Sequence, residues 1–180
     1  MKELSLHILD IAQNSIKAGA KNIEIKINEN SAENLLTIEI NDNGCGMSKE
    51  FLKKVKDPFV TTRTTRKMGM GISLFEAAAV QCGGKLDIWS EEGVGTKLKA
   101  QFELDSIDRA PIGDMAETMM TIISGAPLPE YLYEHKKDGK EFVFDTIQIK
   151  EILGDIPLDM PEVLAWITDY IKEGLAELNI

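Results

Sequence analysis

Hydrophobic residues recur along the chain at two spacings, which predict helices alternating with paired strands. Helical spacing covers residues 6–20, 48–55, 74–82, 113–124 and a last segment that begins near Pro161. Strand-like alternation covers residues 22–28 and 35–41, two segments within 85–104, and a hairpin formed by 131–135 and 141–146. Pairs of strands separated by helices predict an α+β fold, a two-layer sandwich in which helices cover one face of a mixed or antiparallel sheet.

The composition changes after residue 105, where the glycine-rich motifs end. We therefore predict a main domain at residues 1–105 and a small C-terminal α+β extension at residues 106–180. The pattern leaves three placements of this extension open, namely on the main sheet, as a separate annex, or on a partner. Its role is unassigned from the sequence.

The first helical segment has an unusual distribution of polar residues. His7, Asp10, Asn14 and Lys17 are spaced three, four and three residues apart, so they share one face of a helix whose other residues are largely apolar. An acid, an amide and a cation on one face can hold a hydrated Mg²⁺ ion and the phosphates that it bridges. The alternative interpretation is a solvated helix face.

The composition restricts the compartment and the partners. With 180 residues, of which 43% are hydrophobic, the chain can form a core without disulfides or metals. Cys45 and Cys82 form no zinc-ligand pattern, and no signal peptide is visible, so we expect a cytoplasmic protein. No segment is long and apolar enough to predict membrane insertion. A formal charge of -10 argues against a nucleic acid or an anionic membrane as the main partner.

Two glycine motifs lie where a ligand would meet the backbone. The motif DNGCGM, residues 42–47, follows a predicted strand, and glycine lets the backbone approach a flat ligand while the acid accepts its hydrogen bond. The motif GMGIS, residues 69–73, opens a helix, whose free amides favour phosphate. Each motif alone is equally typical of a turn, and the cations before GMGIS are also typical of a solvated loop.

Four blocks in this order resemble the GHKL superfamily of ATP-binding domains, named for gyrase, a heat-shock chaperone, histidine kinases and the MutL mismatch-repair proteins. DIAQNSIKAGA resembles the asparagine-bearing helix and DNGCGM the first glycine box. DPFVTTR and GMGIS resemble the phenylalanine and second glycine boxes, and GVGTKLKAQF resembles the last box. The resemblance covers residues 4–104 and implies the Bergerat ATP-binding fold, with ATP and Mg²⁺ as cofactors.

The resemblance also implies which residues bind the base of ATP. Asp42 would accept a hydrogen bond from the adenine amino group, and Thr96 would support the base through its hydroxyl. Gly44 and Gly46 would shape the adenine wall, and Met47 of the same box is assigned to the nucleotide site.

A second group would bind the phosphates. Asn14 would coordinate Mg²⁺, Lys17 would neutralise phosphate charge, and Gly69 and Gly71 would offer amides to the phosphates. The remaining positions assigned to the nucleotide site are Thr62, Arg63, Arg66 and Met70.

The matched blocks resemble different branches of the superfamily. The opening block resembles the MutL and gyrase branch, where a glutamate at the position of Asp10 polarises the attacking water. Aspartate is shorter by one methylene, so its carboxylate would act from farther away. Lys17 and the stretch from PFVTTR to GMGIS resemble the kinase branch, and the sequence does not decide between the branches.

Three functions are compatible with these features. The first is a stand-alone kinase module that transfers the γ-phosphoryl group to a protein partner, because the first helix begins too early for a preceding phosphoacceptor domain. His7 is expected to support the site or to be solvated, and a regulatory serine kinase of the anti-sigma type also fits. The second is an ATP-hydrolysing conformational switch, compatible with a homodimer, and the third is a nucleotide-binding regulator without turnover.

Overall fold

The computed structural model describes residues 2–56 and 70–180. Its helices are α1 (Leu4–Lys17), α2 (Lys49–Lys56), α3 (Met70–Gln81), α4 (Met115–Gly125), α5 (Thr146–Leu153) and α6 (Pro161–Glu177). Its strands are β1 (Asn22–Asn30), β2 (Leu35–Asp42), β3 (Lys85–Glu91), β4 (Gly95–Glu103), β5 (Glu130–Lys137) and β6 (Lys140–Asp145). The predicted elements are present, and α5 is an additional helix that the pattern did not predict.

The six strands form one mixed sheet in the order β3-β4-β2-β1-β5-β6. Neighbouring strands are antiparallel except for β1 and β5, which run parallel. The prediction of an α+β fold with a mixed sheet is confirmed.

The two faces of the sheet differ in polarity because the side chains alternate. Ile25 lies beside Ile40 on one side and Tyr133 on the other, and all three side chains are buried. Their strand neighbours Glu24 and Lys26 point to the opposite face, where they form an ion pair of 3.2 Å. The apolar face belongs to a single core that also contains the inner residues of α1, α3, α4 and α6. Helices therefore cover one face of the sheet, as predicted.

The C-terminal residues pack on the main sheet, the first of the three predicted placements. Strand β5 pairs with β1 along Asn22–Glu29, and α6 packs on α4, which in turn contacts α1. The division at residue 105 stays a prediction, since strands from both sides of it share one sheet. Helix α5 follows β6 without a linker, and Asp145 caps it by accepting the N–H of Ile147.

The connector before α4 fixes the start of α1. No side chain caps this helix, but its first amides, those of Leu4 and Ser5, donate to the carbonyls of Pro111 and Ile112 at 2.9 and 2.7 Å. These bonds satisfy two of the free amides that begin every helix. Among the helices of the described ranges, none combines the length and apolarity needed to cross a membrane.

Candidate functional site

A cavity of about 680 Å³ lies between the C-terminal half of α1, the loop after β2, and strands β3 and β4. One group of lining side chains is apolar, namely Ile11, Met47, Phe51, Ile72, Ile88 and Leu98. Polar lining side chains are Asn14, Ser15, Lys17, Asp42, Ser48, Glu92 and Thr96. The apolar atoms nevertheless supply most of the surface of the cavity wall. A mostly apolar wall with polar groups at a few points is typical of a site for a small organic ligand.

Asp42 ends β2 and has both carboxylate oxygens held by neighbours. The Ser15 hydroxyl donates to Oδ2 at 2.6 Å, and the Gly44 amide donates to Oδ1 at 2.9 Å. Ser15 is 3% exposed, so this donor is shielded from water. The carboxylate therefore has a fixed orientation at the cavity wall, with lone pairs left for a further donor.

A second set of hydrogen bonds lies across the sheet from Asp42. Thr96 pairs directly with Asp42 in the β2–β4 register, and its hydroxyl is 2.8 Å from that of Ser90 on β3. The Ser90 oxygen also accepts the Met47 amide at 2.8 Å. This network connects the loop after β2 to β3 and β4. One polar wall of the cavity carries Asp42 and the other carries Thr96, and the network holds these two walls as one rigid unit.

Gly46 brings the loop after β2 close to the β3–β4 turn. Its φ of +66° lies in the left-handed region, and a Cβ at this position would collide with the backbone carbonyl of Glu91. The Gly93 amide donates to the Cys45 carbonyl at 2.7 Å across the same contact. Only glycine combines this backbone conformation with this approach.

Helix α1 places its polar residues in different environments. Asn14 and Lys17 line the cavity. Asp10 is half-buried and lies beside the start of α3, where a Cβ on Gly71 would be 3.6 Å from its Oδ2. The acid therefore faces the first turn of α3 rather than the apolar part of the cavity.

His7 does not belong to this polar set, so the prediction of one continuous polar face is wrong at this end. Its side chain is 3% exposed and stacks on Phe75 of α3, with ring centroids 4.9 Å apart and planes inclined by 10°. Burial lowers the pKa of His7. Its Nδ1 atom is buried and has no hydrogen-bond partner within the described structure. The helix turns this residue toward α3 and the core.

The second glycine box is described only in part. Four predicted site residues, Thr62, Arg63, Arg66 and Gly69, lie outside the described residues. Met70 and Gly71 form the first positions of α3, and the Met70 side chain is 57% exposed. Gly44 is buried beneath the cavity wall, where its amide holds Asp42.

Sequence reasoning missed Ser15 and Ser90, which orient the residues that it found. Ser15 follows Asn14 directly, and on a helix that position turns inward beside Ile11, where a hydroxyl needs a partner. Ser90 lies two residues after the buried Ile88 and so on the same face of β3, but no motif distinguishes it from other polar strand residues. Partners of this kind become visible only when strands and helices are placed together.

The described residues do not form a metal centre by themselves. Among residues 2–56 and 70–180, no group of three or more His, Cys, Asp or Glu side chains is close enough to hold an ion. Mg²⁺ commonly takes one or two protein oxygens and completes its shell with water and substrate phosphates. The amide of Asn14 at the cavity fits that mode of binding.

Comparisons with known proteins agree with this geometry. The family model described as histidine kinase-, DNA gyrase B-, and HSP90-like ATPase matches residues 2–106. A Staphylococcus aureus sensor protein, SrrB, is 35% identical over 101 residues, which cover 53% of this chain. A Rickettsia bellii protein named as an NtrY-like sensor histidine kinase is 29% identical over 107 residues, or 59% of this chain. The matched region spans 17% of the length of each of these two curated relatives.

A solved structure supports the fold. The N-terminal domain of a DNA repair protein superposes with a TM-score of 0.55, covering 79% of this chain and 52% of that chain, at 16% sequence identity. At that identity the likeness concerns the fold alone. Since the family model spans more than half of the chain, this protein belongs to the histidine kinase-, DNA gyrase B- and HSP90-like ATPases, the GHKL superfamily, and carries its nucleotide-binding domain.

Proposed function

We propose that the cavity binds Mg²⁺-ATP and that the chain is a kinase module, which transfers the γ-phosphoryl group to a residue of a partner protein. The observation that carries the nucleotide site is the Asp42 carboxylate, fixed by Ser15 and the Gly44 amide at the wall of an apolar cavity. A fixed acceptor beside apolar walls suits a flat base with an exocyclic amino group.

In this proposal the base binds between the two polar walls. The amino group of adenine donates to Asp42, and the hydroxyl of Thr96 bonds to a ring nitrogen. Ile88 and Leu98 pack on one side of the base and Met47 on the other. A ligand with a carbonyl oxygen in place of the amino group would bring two acceptors together, so guanine is disfavoured.

The phosphates would extend toward α1 and the first turn of α3. Lys17 lies at the cavity with its side chain exposed, and the amides at the start of α3 meet the phosphates where Gly71 leaves room. Asn14 would hold Mg²⁺, which supplies charge neutralisation between the phosphate groups when bound. The assignments of Thr62, Arg63, Arg66 and Gly69 to the phosphates remain proposals for residues outside the described ranges.

Similarity to sensor kinases supports phosphoryl transfer. Both histidines of the chain are buried, His7 at 3% and His135 at 0% exposure, so neither can reach a phosphate in solution. In this proposal the acceptor, whether histidine, serine or aspartate, belongs to a partner protein. The role of this chain is to position ATP and neutralise its charge, which is most of what phosphoryl transfer requires.

One observation supports ATP hydrolysis as a second candidate. The carboxylate of Asp10 lies beside Gly71 at the start of α3, where the terminal phosphate would bind. A carboxylate there could accept a proton from an attacking water. The chain would then act as a switch that closes on ATP and resets by slow hydrolysis.

Nucleotide binding is tested by isothermal titration of the whole chain with ATP, with and without Mg²⁺. Replacing Asp42→Asn puts an amide donor against the adenine amino group, and a lost hydrogen bond with an unpaired donor costs about 2–3 kcal/mol. We expect affinity to fall by about 30- to 150-fold. The control is Asp87→Asn on β3, whose carboxylate pairs with Lys85 on the polar face of the sheet. Equal affinity of the Asp42 variant and the control would refute the site.

Kinase and switch are separated by incubating the chain with γ-labelled ATP and proteins encoded beside it. A kinase labels a partner, and the Asp10→Asn variant keeps this labelling because the acceptor itself attacks. A switch releases labelled phosphate without labelling a partner, and the same variant slows that release. Release that is unchanged in Asp10→Asn would show that Asp10 is not the base.

A further inference from the structure

The exposed side of α6 carries aromatic and acidic residues in one stripe. The stripe consists of Glu162, Trp166, Asp169, Tyr170 and Glu173, and all five side chains are exposed. Their spacing places them within about 100° of the helix circumference. They lie beyond residue 106, where the family match ends, so the nucleotide site does not account for them.

The two aromatic rings of the stripe are held in place by the sheet edge. Trp166 and Tyr170 are 46% and 39% exposed, and their rings stack at 5.3 Å with planes inclined by 16°. Tyr170 in turn contacts Phe142 and Phe144 of β6, at 5.7 and 6.4 Å between centroids. Because the stack rests on buried rings, the Trp166 side chain is already ordered, and binding a ligand to it costs little protein side-chain entropy.

The charge of the stripe has one sign. Along the described parts of the chain, none of Glu162, Asp169 and Glu173 has an ion-pair partner. The cation of the same helix, Lys172, lies off the stripe and is 4.0 Å from Asp114 of the connector. Three unpaired carboxylates around an exposed indole create a local negative potential.

We propose that this stripe docks an arginine-bearing segment of a partner protein. A guanidinium group stacks on an indole face by cation–π attraction and can at the same time form two parallel hydrogen bonds to a carboxylate. Lysine lacks this planar fork and is more strongly hydrated, so arginine fits better. Exposed tryptophan and tyrosine are also the residues that most often dominate protein interfaces.

The test uses the whole chain without nucleotide, so that its outcome is independent of the ATP site. The probe is a fluorescein-labelled, amidated octapeptide GRSRGSRG, measured by fluorescence polarisation. A peptide with citrulline in place of arginine has the same shape without the charge. We expect the arginine peptide to bind and the citrulline peptide to bind at least tenfold more weakly.

Two tryptophan variants locate the site. Trp166→Ala should weaken binding about two- to fivefold, as expected for loss of an exposed cation–π contact, whereas Trp166→Phe should weaken it less. The control is Trp89→Ala on β3, a somewhat more exposed tryptophan (56%) on the polar face of the sheet. Circular dichroism checks that each variant is folded.

Three results would overturn the proposal. The first is no binding of the arginine peptide, and the second is equal weakening by Trp166→Ala and Trp89→Ala. In the third, sedimentation velocity shows self-association that Trp166→Ala abolishes, which would assign the stripe to a second copy of the chain.

Discussion

Replacing Ser15→Ala tests how the Asp42 carboxylate is held. The substitution removes one oxygen from a side chain that is 3% exposed and leaves the aliphatic contacts of α1 in place. It deletes the 2.6 Å bond to Oδ2, while the Gly44 amide still binds Oδ1. Asp42 therefore keeps one fixed oxygen and gains rotational freedom.

The structure sets the magnitude of two effects. Hydrogen bonds to charged groups contribute about 1.5–3 kcal/mol, and the half-buried position of Asp42 favours the lower value because water can replace the hydroxyl. A loss of about 1.5 kcal/mol lowers the melting temperature of a domain of this size by about 3–6 °C. In the variant, ordering the freed Asp42 side chain when ATP binds costs about 0.5–1 kcal/mol, which weakens the affinity for ATP about two- to fivefold.

The melting temperature is measured by circular dichroism and the affinity by isothermal titration. The control is Ser5→Ala on the same helix, where a buried hydroxyl makes a longer bond of 3.3 Å to Glu3 away from the cavity. That variant should lose less stability and bind ATP normally. If Ser15→Ala has the melting temperature and the ATP affinity of the unmodified chain, the hydroxyl does not hold the carboxylate.

Three further predictions concern stability. Gly46→Ala should lower the free energy of unfolding by more than about 2 kcal/mol in denaturant unfolding, because the new Cβ meets a backbone carbonyl of β3. Gly93→Ala, where φ is also positive but no atom lies within 4 Å, should lower it by only about 1 kcal/mol. Equal losses would contradict the close approach at Gly46. Gly174→Ala should destabilise the protein by about 1–3 kcal/mol because the new Cβ on α6 would meet a phenylalanine ring of β6. Gly125→Ala, with no atom within 4 Å of the new Cβ, should be neutral or stabilising. A neutral Gly174→Ala variant would show that the ring moves freely. Burial lowers the pKa of His7 from 6.5, so the unfolded chain takes up a proton that the folded chain does not, and the free energy of unfolding falls as pH drops through 6.5. His7→Phe should flatten this dependence in unfolding measurements between about pH 8 and about pH 5.5. An unchanged slope would assign the dependence to other groups.

The strands could be predicted from sequence because one face of the sheet is apolar and the other charged. Alternation at a period of two is then required on every strand, as in Ile23, Ile25 and Ile27 of β1. Helix α5 could not be predicted so easily, since it begins at Thr146 directly after β6 and is only eight residues long. The parallel pairing of β1 with β5 joins residues about one hundred positions apart and follows from packing rather than from any local pattern.

The residues of the candidate site also fall into those that the sequence indicates and those that only the packing of helices and strands reveals. Asp42 and the glycines of its motif are indicated by the sequence itself because a turn and a close backbone approach restrict these positions locally, whereas Thr96 is indicated only by the resemblance to the GHKL superfamily. Ser15 matters only because helix α1 crosses the end of β2, which local spacing does not show. His7 shows the converse, since its spacing fits the polar face while its ring packs on Phe75.

The parallel ladder between β1 and β5 has a practical consequence for work on the ATPase domain. Strand β5 covers eight positions of β1, from Asn22 to Glu29. A protein cut after residue 105 would expose the amides and carbonyls on that edge beside a row of isoleucines. Such an edge is a template for pairing between molecules and for aggregation. Soluble preparations for enzymology should therefore retain the strand that closes the sheet, even when only nucleotide chemistry is under study.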